Sequence, residues 1–194
     1  MKKIILASAS PRRRELLSQA EIEYDLCIKS VDESVPDGTD AAQAAEMTAK
    51  KKAAAVSGRF PDTVVLGADT IVVLDGKIMG KPHSKQEATE MLMSLSGRRH
   101  EVITGVCLAF GGEFRTFHVV SKVKFYDLTK EEISHYVSTG EPMDKAGAYG
   151  IQGKGCTLIE SIEGDYYNIV GLPVARVARE IKAIQKENGL YENN

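Results

Sequence analysis

With 194 residues, of which 43% are hydrophobic and 27% charged, the chain suits one sizeable soluble core, or two lobes sharing one sheet, rather than two independent domains. Its 25 Lys and Arg against 27 Asp and Glu leave a net charge of −2, and with 6% aromatic residues and no Trp this argues against binding a nucleic-acid polymer, so anion chemistry has to come from local clusters. Cys27, Cys107 and Cys156 lack the spacing of a zinc site or disulfide framework, which fits a reducing cytoplasm, and neither a signal-peptide core nor the roughly 18 apolar residues of a membrane span is present.

Lys3 to Ala7 predicts a short buried strand, and Pro11 to Ala20 a helix with Ser10 as N-cap and Pro11 at its first position. The first turn of that helix carries Arg12, Arg13 and Arg14, offset only by Glu15, although the positive end of a helix dipole favours acidic residues. Two readings are open. The arginines form a solvated basic face balanced from elsewhere, or, with the helix amides and the hydroxyls of Ser8 and Ser10, they form an anion site whose planar forks suit phosphate oxygens. Glu23 to Ile28 predicts a second strand, and the acidic segment Asp32-Glu33-Ser34-Val35-Pro36-Asp37-Gly38 reads as a solvated loop. Asp40 then caps a helix to about Ser57, in which Ala42, Ala45, Ala49 and Ala53 suit close packing, while Lys50, Lys51 and Lys52 cluster late, where cations suit the dipole.

The stretch Thr63-Val64-Val65-Leu66-Gly67-Ala68-Asp69-Thr70 drives an apolar strand onto a carboxylate, and Ile71-Val72-Val73-Leu74 then resumes the apolar run. A carboxylate in buried sheet costs several kcal/mol unless it is paired, hydrogen-bonded or metal-bound. Asp69 is therefore either a functional group or the cap of a turn between two strands, and Gly67 and Ala68 leave room for a ligand to approach the backbone.

Asp75-Gly76 predicts a hairpin turn, and Gly80-Lys81-Pro82 fixes Lys81 between a flexible and a rigid residue. Ser84 to Leu95 reads as an amphipathic helix capped by Ser84 with Glu87 at the capping-box position, and Thr129 to Ser138 as another with Glu132 there. Glu101 to Phe110 and Glu113 to Tyr126 form an antiparallel hairpin turning at Gly111-Gly112. A last hairpin is expected over Cys156 to Val170, turning at Glu163-Gly164, then a closing helix from about Val174 to Lys186 and a frayed polar tail. His83, His118 and His135 read as surface or packing residues.

The segment Glu141-Pro142-Met143-Asp144-Lys145-Ala146-Gly147-Ala148-Tyr149-Gly150-Ile151-Gln152-Gly153 is rich in glycine, which permits positive φ and close ligand approach. Lys145, Asp144 and Gln152 in it can converge on a polar ligand. It is neither a phosphate loop of the G-x-x-x-x-G-K-[ST] kind nor a dinucleotide fingerprint.

Ser8-x-Ser10-Pro11-Arg12-Arg13, Gly67-Ala68-Asp69-Thr70, Gly80-Lys81-Pro82, Leu95-Ser96-Gly97 with His100, Asp144 to Gly153 and Gly171-Leu172-Pro173, in that order, resemble the Maf family from Ile4 to about Ala178. The resemblance implies a single Maf-like domain over residues 1–187, with 188–194 as tail. The implied fold is α/β, of the inosine triphosphate pyrophosphatase kind, with a long twisted mixed sheet, flanking helices and two lobes around a cleft. The implied activity is hydrolysis of a nucleoside triphosphate between its α- and β-phosphates, giving the monophosphate and pyrophosphate. The family is also named for effects on septum formation, so the alternative is a regulator of division that binds nucleotide without turnover. A homodimer is compatible with either.

Such hydrolysis needs neutralised phosphates, an activated water and usually a divalent cation. Arg12, Arg13, Lys52 and Lys81 are the cations expected on the phosphates, Lys52 through Lys52-Ala53 and Lys81 through its motif. Asp69 is the expected proton acceptor. Glu33 is the second carboxylate, so Glu33 and Asp69 are the candidate ligands of Mg²⁺ or Mn²⁺, with Co²⁺ a third candidate. Arg12, Thr70 and Gln152 stand where the family sets specificity, and their combination resembles its dTTP- and UTP-hydrolysing branch, with modified pyrimidine nucleotides as further candidates. His100 belongs to a motif without a role that its chemistry supplies.

Overall fold

The computed structural model describes residues 1–36 and 38–190; Asp37 of the acidic loop and residues 191–194 of the expected tail lie outside them. In chain order the elements are β1 (Ile4–Leu6), α1 (Pro11–Gln19), β2 (Tyr24–Leu26), α2 (Ala41–Ser57), β3 (Val65–Leu74), β4 (Lys77–Met79), α3 (Lys85–Leu95), β5 (Arg99–Phe110) and β6 (Glu113–Phe125). After α4 (Lys130–Ser138) come three short 3-10 turns, Glu141–Asp144, Ala146–Ala148 and Gly153–Leu158, then β7 (Ile159–Glu163), α5 (Tyr166–Val170) and α6 (Val174–Glu187). The architecture is mixed α/β, with a seven-stranded sheet in the order β2-β1-β3-β5-β6-β7 and β4 added on β3. The chain divides into two compact units, Met1–Asp69 with Thr104–Val119 and the segment from Gly171, and Thr70–Ile103 with Val120–Val170.

In the first unit β1 pairs in parallel with β2 and with β3, Ile5 standing opposite Val65 and Leu6 opposite Leu66. Parallel strands need both faces covered, which matches the fully buried pattern of β1. Helix α2 supplies part of that cover. Asp40 caps it through Oδ1, which accepts from the amides of Ala42 (2.9 Å) and Gln43 (3.3 Å), as its sequence predicts. Ala45, Ala49 and Ala53 are completely buried and let the helix sit directly on the strands. The fit is so close that a Cβ at Gly67 would meet the Ala49 carbonyl and stand 2.8 Å from the Ala53 nitrogen, and one at Gly105 would meet the backbone of Ala45. The space that Gly67 leaves is therefore filled by α2, not kept for a ligand.

In the second unit β3 and β4 close over Asp75 (φ 50°) and Gly76 (φ 75°), two left-handed residues as a tight hairpin requires. Leu92 and Leu95 of α3, Val123 and Phe125 of β6, and Tyr136 of α4 form the centre of its core. Thr129 and Glu132 complete a reciprocal capping box on α4. At α3 the Ser84 hydroxyl accepts from the Glu87 amide, but the Glu87 carboxylate accepts from the amide of His83 (2.6 Å) and not from that of Ser84.

The hairpin expected over Cys156 to Val170 is not formed. Only β7 is a strand, pairing antiparallel with β6, whereas Gly153–Leu158 is a 3-10 turn and Tyr166–Val170 is the helix α5. Asp165 decides the second half: its Oδ1 accepts from the Tyr167 amide (2.8 Å), and buried Asn168 donates to the Val102 carbonyl (3.0 Å) and the Ser121 hydroxyl (2.9 Å). Tertiary hydrogen bonds override the strand preference of an apolar, aromatic run.

His100 lies in this core, edge-on to Phe125 and Tyr149, with Nε2 at 2.7 Å from the Tyr149 hydroxyl and Nδ1 buried without a hydrogen-bond partner among the described residues. Burial lowers its pKa to about 4 from the ordinary 6.5. The neutral ring is favoured by folding, so its contribution is intact above pH 6.5 and is lost as pH falls from 6.5 toward 4. At about 1.4 kcal/mol per pH unit, roughly 2 kcal/mol should disappear between pH 6.5 and pH 5 in denaturant titrations. The loss should be absent in His100→Gln; equal pH slopes for parent and variant would contradict it.

Candidate active site

Side chains two apart on a strand share a face, so Asp69 stands on the face of β3 that Gly67 presents to α2. There it meets Lys52, the residue before Ala53. Lys52 Nζ donates to Asp69 Oδ1 at 2.7 Å, and both side chains are less than one-fifth exposed. Asp69 is thus the middle of one continuous strand and no turn cap, and its charge is compensated by the ammonium that burial requires.

The same ammonium lies 3.1 Å from Glu33 Oε1. The Glu33 loop is folded back on α2: the Asp32 carboxylate accepts from the Ser34 amide (2.9 Å) and hydroxyl (2.7 Å), and Lys51 Nζ donates to the Ser34 carbonyl (2.6 Å). Lys51 and Asp32 are parts of this arrangement that the sequence reading left out. Adjacent lysines on α2 hold one loop, Lys51 at the Ser34 carbonyl and Lys52 at the Glu33 carboxylate.

Arg13 is the most buried of the three arginines, 8% exposed. Its Nη1 donates to the Ser8 hydroxyl (2.9 Å) and its Nε to the Gly171 carbonyl (2.8 Å). Burial lowers its pKa, Asp69 raises it, Arg12 lowers it and Glu33 raises it, which puts those three charges within electrostatic reach of Arg13. An arginine guanidinium is not deprotonated in proteins, so Arg13 stays charged. Arg12 is half-buried at the same helix start, where the Ser10 N-cap makes no side-chain cap hydrogen bond.

The sequence places Arg13 among the cations on the phosphates, and its burial and hydrogen bonds give it a part in the fold as well. Arg13→Ala would remove its hydrogen bonds to the buried Ser8 hydroxyl and to the Gly171 carbonyl, so unfolding stability should drop on the order of 2 kcal/mol, equivalent to a melting temperature several degrees lower. A melting temperature level with the parent's would show that neither hydrogen bond matters to the fold.

In the second unit, Thr70 is half-buried at the head of its part of β3. Lys81 is exposed, and the carbonyl of the preceding Gly80 accepts from the Gly147 amide (3.0 Å), tying the Lys81 turn to the glycine-rich loop. That loop packs so closely on β3 that a Cβ at Gly147 would stand 2.9 Å from Val72 Cγ1. Lys145 is drawn inward, donating to the Glu141 carbonyl (2.6 Å) and to Asp144 Oδ1 (2.7 Å). Gln152 is half-buried at the start of the third 3-10 turn. The candidate residues thus fall into two sets: Ser8, Ser10, Arg12, Arg13, Glu33, Lys52 and Asp69 on the first unit, and Thr70, Lys81, Lys145 and Gln152 on the second.

Among the described residues no group of three or more His, Cys, Asp and Glu side chains is placed to hold a metal ion, and no helix is long and apolar enough to cross a membrane. Glu33 and Asp69 nevertheless converge on one cation, the Lys52 ammonium. Two carboxylates of this kind suit a hard divalent ion that takes its remaining ligands from substrate phosphates and water.

A sequence profile described as "Maf-like protein" matches residues 3–184. Among curated proteins, the dTTP/UTP pyrophosphatase of Symbiobacterium thermophilum is 52% identical over 179 residues, covering 92% of this chain and 92% of its own. The dTTP/UTP pyrophosphatase of Geobacillus sp. (strain WCH70) is 47% identical over 184 residues, covering 95% of this chain and 99% of its own. Among solved structures, the Staphylococcus aureus Ham1 protein aligns with a TM-score of 0.49 at 16% identity, over 81% of this chain and 80% of its own.

Proposed function

We propose, from the premise that this chain belongs to the Maf family, that it is a nucleoside triphosphate pyrophosphatase hydrolysing dTTP and UTP to the monophosphate and pyrophosphate. The observation that carries this reading is Asp69, lodged mid-strand and held at 2.7 Å by Lys52. A binder of phosphate alone gains nothing from a carboxylate beside anionic oxygens. A hydrolase needs one to take the proton of its water.

Asp69 accepts that proton as the water oxygen bonds to the α-phosphorus, and the bridging oxygen leaves with pyrophosphate. Lys52 keeps the carboxylate oriented by donating to Asp69 and, with its ammonium 3.1 Å from Glu33, offers a further donor to a phosphate oxygen. Arg12 and Arg13, beside the amides of the α1 start, balance the triphosphate charge, as do Lys81 and Lys145. Ser8 and Ser10 add hydroxyl donors. Glu33 and Asp69 would hold Mg²⁺ or Mn²⁺, which when bound neutralises phosphate charge. Thr70 and Gln152 read the base, the Gln amide offering the donor and acceptor that the alternating edge of uracil or thymine requires. The cysteine pattern supports a reducing cytoplasm as the place of this activity.

Competition among UTP, dTTP, CTP, GTP and 7-methyl-GTP tests the substrate class. UTP and dTTP should be consumed at least about 10-fold faster than the purine nucleotides, because a site built to hydrogen-bond one edge leaves polar groups unpaired with another. A purine in first place would contradict the reading.

A further inference from the structure

Glu141 has no part in the chemistry above, yet its carboxylate is the meeting point of the loop that carries Gln152. Oε1 accepts from the Tyr136 hydroxyl (3.0 Å) and the Gly155 amide (3.1 Å), and Oε2 accepts from the Lys154 amide (3.0 Å). The Tyr136 hydroxyl accepts in turn from the Gly150 amide (3.2 Å), so the chain is pinned two residues before Gln152 and two and three residues after it. The glycines belong to the same construction. A Cβ at Gly153 (φ 72°) would stand 2.8 Å from Glu141 Oε2, and one at Gly155 would stand 2.8 Å from the Tyr136 hydroxyl. Two of the loop's glycines, Gly153 and Gly155, thus serve its close approach to the Glu141–Tyr136 pair. The Glu141 carbonyl also accepts from Lys145 (2.6 Å).

We infer that Glu141, with Tyr136 beside it, is a positioning residue that sets base selectivity by fixing where Gln152 presents its amide. The inference rests on Gln152 reading the base, as proposed above. Every partner of the carboxylate is a donor, so the site requires a group that only accepts. Burial opposes the charged form of Glu141, but the amides of Lys154 and Gly155, the Tyr136 hydroxyl and the charge of Lys145 together hold its carboxyl below the usual range. A purely structural brace would protect the loop without altering which nucleotide is preferred.

Glu141→Gln is near-isosteric but turns an amide NH₂ toward a donor, and Tyr136→Phe removes only the bridging hydroxyl; the second variant keeps the test open should the first fail to fold. The measurements are calorimetric affinities for the non-hydrolysable α,β-imido analogues of UTP and GTP, amide exchange at Lys154 and Gly155, and kcat with UTP. Both variants should speed exchange at those amides and lower UTP-analogue affinity, by about 10-fold for Glu141→Gln and roughly 3-fold for Tyr136→Phe. GTP-analogue affinity should move less than about 2-fold and saturated kcat less than about 3-fold, because among the described residues neither Asp69 nor Lys52 hydrogen-bonds to Glu141 or Tyr136. Equal weakening of both analogues, or unchanged affinities despite faster exchange, would overturn the inference. A parent that binds both analogues alike would contradict the base assignment instead; Glu141 is then judged by the affinity loss alone, which persists if the brace holds Gln152 and vanishes if it does not.

Discussion

Replacing Asp69 by Asn is expected to lower turnover of UTP by about 10²-fold or more while leaving nucleotide affinity close to that of the parent. The amide keeps the shape of the side chain and still offers Lys52 an oxygen at the 2.7 Å position, so the strand and α2 have no reason to move. What disappears is the capacity to accept a proton from water. The Asn variant also loses one anionic oxygen of the Glu33–Asp69 pair, so the concentration of Mn²⁺ needed for half-maximal activity should rise with it. Steady-state kinetics over a Mn²⁺ titration read both effects. Turnover within a few-fold of the parent would remove Asp69 from the reaction.

Gln152→Glu should cut kcat/KM for pyrimidine nucleotides by roughly 10 to 100-fold. A carboxylate only accepts, so it faces a uracil or thymine carbonyl with repulsion where the amide donates a hydrogen bond, while it suits the N–H groups of guanine. The loss should appear mainly in KM, since the base lies away from the bond that breaks. Extending the change to Arg12→Trp, Thr70→Gln and Gln152→Glu together should move the preference toward 7-methyl-GTP, whose positively charged base can stack on an aromatic ring. An unchanged nucleotide ranking in both variants would deny these positions a part in selectivity.

Local chemistry made much of this fold legible in the sequence. Asp40, Ser84 and Thr129 cap the helices they precede, Asp75-Gly76 turns a hairpin, and the alanine spacing of α2 marks the face that lies on the sheet. Asp69 was conspicuous because a carboxylate interrupts an apolar run, although whether it capped a turn or stood within one strand depended on partners distant in sequence. The same limit explains the misses. Tyr166–Val170 is apolar enough for a strand, and only Asp165 and the buried side chain of Asn168 make it a helix. Whether Arg13 is a solvated charge or part of an anion site stays open in the sequence, and its burial shows only when Gly171, 158 residues away, accepts its Nε hydrogen. Gly67, Gly153 and Gly155 advertise close approach without saying to what, and in each case protein occupies the space. The anchoring of the Glu33 loop by Lys51 likewise needs the fold, because a loop's backbone carbonyl leaves no mark on composition.

The central claim is that the protein breaks the bond between the α- and β-phosphates of a pyrimidine nucleoside triphosphate. It is tested most directly by incubating the purified chain with UTP and Mn²⁺ and quantifying UMP, UDP, pyrophosphate and orthophosphate together. UMP and pyrophosphate should appear in equal amounts, with neither UDP nor orthophosphate formed. Release of orthophosphate with UDP, or UTP bound but left intact, would contradict it.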